Sequence, residues 1–101
     1  GGGSSSRILV ADKGTKKGGV YIKKGKKKVS YIAPEMKYNA KVAKVPAKIK
    51  VGKKTYKVVS VAGYAFTGFD KLRKVKISRK VKKVSKSAFF GCNRKKLKVM
   101  H

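Results

Sequence analysis

"VAGYAFTGFDKL", residues 61–72, and "VSKSAFFGC", residues 84–92, write one apolar phrase twice in a chain otherwise crowded with lysine. Val61, Ala65, Phe66, Gly68 and Phe69 meet Val84, Ala88, Phe89, Gly91 and Cys92 at a constant offset of 23 residues. Upstream, Ala43, Val45, Pro46 and Ile49 align with Val75, Ile77, Ser78 and Val81 at an offset of 32. The difference of nine equals the length of "KVGKKTYKV", residues 50–58. The simplest account is a repeat of about 23 residues whose first copy carries a hairpin insertion. After Cys92 the second copy runs two residues longer before Leu97.

Around this phrase the apolar period is two, which predicts strands. "VYI" and "VSYI" flank "KKGKKK" (residues 23–28), a hairpin pattern. "KIKV", "GKK" and "TYKVV" read as a second hairpin, with Ile49 and Val51 facing Tyr56 and Val58. No segment sustains a helical stripe, and "GYAF" and "KSAFF" are single helical turns at most. Residues 1–18 read as a linker or cloning remnant opening on "GGGSSS", within which "RILVA" has the pattern of a short strand. Residues 19–101 then form one module. It is mainly β, and each copy of the repeat must bury the same apolar phrase, with Gly68 and Gly91 permitting the turn after each Ala-Phe pair.

"LRKVKIS" followed by "VKKVSKSAFFGC" resembles the leucine-rich repeats of BspA-like bacterial surface proteins. "VPAKIKVGKKTYKVVSVAGYAF" (residues 45–66) is similar to the entry into such an array. The resemblance covers about residues 40–100. It departs from the pattern at Phe69, where the second copy has Cys92, at Ser78 in place of a proline, and at the expanded Asn93–Lys96. It implies a leucine-rich-repeat solenoid of about two coils, capped by N-terminal β-hairpins and forming a fragment or end of a longer array. It also implies a non-catalytic binding or adhesion module, extracellular or at the cell surface of a bacterium, contacting a protein or an anionic polymer there.

Charge supplies the rival reading. Thirty Lys and Arg face only Asp12, Glu35 and Asp70, a formal net charge of +27. Such a surface favours polyanions, and its like charges repel one another in the compact state. Arginine occurs only at Arg7, Arg73, Arg79 and Arg94. Lysine is a hydrated point charge without arginine's planar fork, so diffuse attraction is expected over base reading. The alternative function is therefore a polycationic nucleic-acid or anionic-polymer binding protein, attaching to nucleic acid without sequence preference at low salt. Membrane disruption is a weaker rival, because no amphipathic helix is visible, and no apolar run reaches the length of a membrane span.

Catalysis is poorly supplied: the three carboxylates are scattered, and the only histidine is His101. No cofactor or metal site is expected, since Cys92 and His101 are isolated and Gly18, Gly19 and Gly25 lack the strand–loop–helix setting of a phosphate loop. Cys92 fills the slot matched by Phe69 and is expected to be a buried, inert thiol. Between the inward residues of "LRKVKI", Arg73, Lys74 and Lys76 are expected on an exposed sheet face, extended by Lys44 and Lys98. Lys82, Lys83 and Lys86 belong to the neighbouring face. Tyr21, Tyr31 and Tyr38 suit half-buried strand positions better than stacking platforms for single strands.

Overall fold

The computed structural model describes residues 7–93 and 95–101, so the "GGGSSS" opening and Arg94 lie outside the described residues. The inserted hairpin sets the frame. β5 (Lys48–Val51) and β6 (Lys54–Val61) are antiparallel, joined by Gly52 and Lys53 with φ of +62° at Gly52. A positive φ at the first of two loop residues suits the type II′ hairpin turn, which matches strand twist. The tight turn pairs Ile49 with Tyr56 and Val51 with Lys54. Val58 therefore falls beyond the expected pairing with Val51, and its amide donates to the Ala47 carbonyl at 3.0 Å.

The other hairpin forms around "KKGKKK". β2 (Gly19–Lys23) and β3 (Lys28–Pro34) are antiparallel, with a register shift between Val20 and Tyr21. β1 (Ile8–Ala11), the "RILVA" stretch, adds to β2 with Val10 opposite Val20. The segment 1–18 thus contributes an edge strand to the sheet. β3 then lies parallel to β6, giving the order β1-β2-β3-β6-β5, with the short β8 (Lys83–Val84) also on β6. A second sheet is parallel throughout: β4 (Val42–Val45), β7 (Lys74–Ile77) and β9 (Lys98–Met100). No helix occurs among the described residues.

Both repeat offsets reappear as strand register. Ala43 and Val45 pair with Val75 and Ile77, the offset of 32, and Val61 pairs with Val84, the offset of 23. Between the copies, Tyr64 N–H donates to Ser87 O at 2.9 Å and Phe66 N–H to Ala88 O at 2.9 Å. The phenyl rings of Phe66 and Phe89 stack at 5.2 Å with planes 7° apart, and Tyr31 stacks on the other face of the column at 5.5 Å from Phe66. Tyr21 meets Tyr31 edge-on at 5.3 Å, a favoured aromatic geometry. Ala43, Val45, Leu72, Val75, Ile77, Val81 and Ala88 are buried around this column. Gly68 and Gly91 share φ near +90° (91° and 89°), where a side chain would be strained.

Two core expectations need correction. Phe89 and Cys92 pack against the core only partly buried. Among the described residues Phe89 stacks on Phe66 alone, so its other ring face is open. Val99 shows the same effect: it pairs with the fully buried Val75, yet is 42% exposed at the end of the stack.

Candidate binding face

Alternation along three short parallel strands builds the face. On β7, Val75 and Ile77 are buried while Lys74 and Lys76 point to solvent. On β4, Ala43 and Val45 turn inward and Lys44 outward, partly buried; on β9, Lys98 is exposed. Register then sets lysine against lysine: Lys44 opposite Lys76, and Lys74 opposite Lys98. Strands about 4.8 Å apart and residues i, i+2 about 6.6 Å apart put the roots of four ammonium groups in one small lattice. Arg73 is exposed just before β7, and its backbone ties the neighbours together. Its N–H donates to Lys41 O at 2.8 Å and its carbonyl accepts from Lys98 N–H at 2.8 Å.

At the C-terminal end of these strands lies an open groove of about 520 Å³. Val45, Pro46, Ile77 and Met100 supply apolar walls, and Lys17, Lys44, Lys76 and Arg79 rim it. The His101 ring closes one side, its Nε2 2.8 Å from the Val81 carbonyl. No acidic residue lines this groove.

The remaining sequence-flagged cations lie elsewhere. Lys82 and Lys83 are exposed where β8 joins β6, beside Lys24 and Lys28, and Lys86 is exposed in the following turn. Of the eight residues, Lys44, Lys74, Lys76 and Lys98 thus stand on one sheet with Arg73 just before β7, whereas Lys82 and Lys83 lie beside β6 of the other sheet and Lys86 follows in the turn. A further lysine row runs across the other sheet. Lys28, Lys57 and Lys48 stand directly opposite one another across β3, β6 and β5. The lysine run "KKGKKK" at a hairpin tip contains Lys28, but nothing local marks Lys48 or Lys57.

The tyrosines differ from both expectations. Tyr21 and Tyr31 are fully buried rather than half-buried, so neither offers a stacking platform. Among the described residues their hydroxyls find no hydrogen-bond partner, and burial raises both phenols well above the usual 10.0. Asp12 adds to the shift at Tyr21, and Tyr21 to that at Tyr31. Tyr38 is 68% exposed, outside any strand, its ring 4.8 Å from Phe69. The Cys92 thiol is half-buried and donates to Phe66 O at 3.2 Å; burial, then Asp70, pushes its pKa up, the reverse of an activated thiolate. Among the described residues no three His, Cys, Asp or Glu side chains cluster as metal ligands, and no helix is long and apolar enough to cross a membrane.

No family model and no curated protein matches the sequence. The fold is similar to the crystal structure of a leucine-rich repeat protein from Bacteroides ovatus, with a TM-score of 0.64 and 22% identity. The match covers 94% of this chain and 22% of that one, so this chain spans about a fifth of its neighbour's length. The leucine-rich-repeat resemblance carried by the duplicated Ala-Phe phrase therefore holds at the level of fold.

Proposed function

We propose that the chain is a non-catalytic binding module that engages its partner through the exposed face of β4, β7 and β9. The partner is a protein or an anionic polymer, and the setting is the surface or exterior of a bacterial cell, as in adhesion. In this reading β4, β7 and β9 belong to successive coils of a short solenoid, and the hairpins β2–β3 and β5–β6 cap its N-terminal end. One observation carries it: Lys44, Lys74, Lys76 and Lys98 stand in register on one solvent-facing parallel sheet. Parallel sheets commonly have both faces covered, and repeat folds bind along such open surfaces. The fold shared with a leucine-rich repeat protein supports a scaffold role.

The test is an NMR titration with lipoteichoic acid fragments and, separately, an acidic protein. Amide shifts are expected to cluster on residues 42–45, 74–77 and 98–100. Lys74→Gln/Lys76→Gln should weaken whichever partner binds. Shifts spread evenly over the molecule for both would remove the face as a site.

A second reading, a nucleic-acid or anionic-polymer binding protein, is favoured by the near absence of carboxylates. It expects binding to unrelated duplexes alike, with a slope in log affinity against log salt of about −0.9 per phosphate neutralised. Tight binding to one duplex at physiological salt would demand base readout, which point charges do not supply.

A further inference from the structure

The two hairpins converge at their tips, and between them runs a second open channel of about 1000 Å³, built on the other sheet from the β4–β7–β9 face. Its walls are almost entirely lysine. Lys23, Lys26 and Lys27 come from β2 and its turn, and Lys48, Lys53, Lys54 and Lys57 from the β5–β6 hairpin. Gly25 and Thr55 complete the lining, and no acidic residue takes part.

We infer that this channel is a separate binding site for a sulfated polysaccharide chain of the heparin type. Three observations converge on that chemistry. First, seven lysine side chains from two converging hairpins line one channel, and Lys57 also stands directly between Lys28 and Lys48 on adjacent strands. Like charges directly opposite destabilise a sheet, and a densely anionic ligand relieves that repulsion. Second, the channel offers no aromatic platform. Tyr56 is 4% exposed and the Lys23 ammonium covers its ring at 5.8 Å from the centroid, so bases have nothing to stack on. Third, lysine stems present methylene surface between the charges. The C–H faces of sugar rings can use that surface; a bare polyphosphate cannot. Among the described residues no arginine lines it, so recognition rests on charge spacing rather than on bidentate forks.

The channel stands independently of the proposed repeat face, and the experiment separates them. Lys27→Gln/Lys54→Gln/Lys57→Gln removes three channel charges. Lys13→Gln/Lys80→Gln/Lys95→Gln removes three from exposed positions outside every groove described above. Binding of a size-defined heparin oligosaccharide is measured by calorimetry from 0.15 to 1 M sodium chloride. Taking about 0.7 per charge, the value for single-stranded polyanions, the channel triple should shallow the salt slope by about 2. That corresponds to on the order of fifty-fold weaker binding at 0.15 M. The control triple should lose under about fivefold, because the Debye length there is about 8 Å. Equal losses in the two triples would overturn the site and leave only diffuse charge. Equally tight binding of polyphosphate or oligo(dT) through the same lysines would overturn the ligand class. If the channel triple melts below the parent, the native chain decides. Heparin-induced amide shifts centred on residues 23–27 and 48–57 support the channel, and shifts centred on β4, β7 and β9 refute it.

Discussion

Lys57 is where the cost of the charge can be measured. It is exposed on β6, with Lys28 opposite it on the parallel side and Lys48 opposite it on the antiparallel side. The strands are about 4.8 Å apart, but lysine side chains splay, so an ammonium separation of about 8 Å is a fair working distance. In water two unit charges at that distance repel by about 0.5 kcal/mol. At 0.02 M salt the Debye length is about 20 Å, and about 0.35 kcal/mol per pair survives. Lys57→Gln removes two such pairs, about 0.7 kcal/mol. Lys57→Glu turns both into attractions, about 1.4 kcal/mol in all. For a domain of this size 1 kcal/mol moves the melting midpoint by about 4–8 °C. The Glu variant should therefore melt about 5–10 °C above the parent at 0.02 M sodium chloride, with the Gln variant about halfway. In 1 M salt the Debye length is about 3 Å and the gain should nearly vanish. The parent's own midpoint should rise across the same range. Circular-dichroism melts at the two salt concentrations make the measurement. A gain that persists in 1 M salt would mean that something other than charge separates the variants. No gain at 0.02 M would refute the lysine row itself.

The core makes its own predictions. Phe66 is fully buried between Tyr31 and Phe89, so Phe66→Ala should cost about 3–5 kcal/mol in urea unfolding, and the half-buried Phe89→Ala distinctly less. The unpartnered Tyr31 hydroxyl predicts that Tyr31→Phe is neutral or stabilising by about 1 kcal/mol, since an unsatisfied buried hydroxyl costs about 1–3 kcal/mol. The buried phenols also set an alkaline limit. Their folded-state pKa values lie above the unfolded 10.0, so their contribution is full below pH 10 and declines as pH rises above it. Tyrosinate absorbance should show Tyr21 and Tyr31 ionising only as the chain unfolds, with that late phase halved in Tyr31→Phe.

The strands and the repeat were legible because buried positions repeat visibly. Val61 with Val84, and Val45 with Ile77, are offsets that can be counted along the chain, and the sheet registers reproduce them. Lysine rows cannot be found that way. Lys28 and Lys57 become neighbours only because β3 pairs parallel to β6, and nothing local marks one lysine among so many. The face formed by Lys44, Lys74, Lys76 and Lys98 was legible for the opposite reason: each of these lysines neighbours an apolar residue of the repeat. For Tyr21 and Tyr31, period-two alternation gives the face but not the depth. They reach full burial under Phe66, in a column assembled from β2, β3 and the first Ala-Phe turn. Half-burial of Phe89 and Cys92 reflects stacking on one side only, a property of their neighbours in space rather than of the residues themselves.

A polycation tests its own fold when it binds a polyanion, because the unfolded chain carries the same +27 charge. A ligand that binds only the native state stabilises it by RT ln(1 + [L]/Kd), about 2.7 kcal/mol at a hundredfold excess over Kd. Affinity for the unfolded chain subtracts from this. If charge number alone governs binding, heparin attaches to both states alike and the melting midpoint stays where it was. If the channel between the hairpin tips concentrates seven lysines as the native sheet dictates, the folded state binds more tightly. Relief of the Lys28–Lys57–Lys48 repulsion adds to the same sign. A heparin oligosaccharide at a hundredfold excess, in 0.15 M salt, should then raise the midpoint by several degrees, up to the 10–20 °C that about 2.7 kcal/mol allows. The channel triple should lose most of that rise while the control triple keeps it. A midpoint unchanged or lowered by heparin in the parent would mean that the folded arrangement of lysines holds no advantage over the unfolded chain, and with it the channel would lose its claim to be a site.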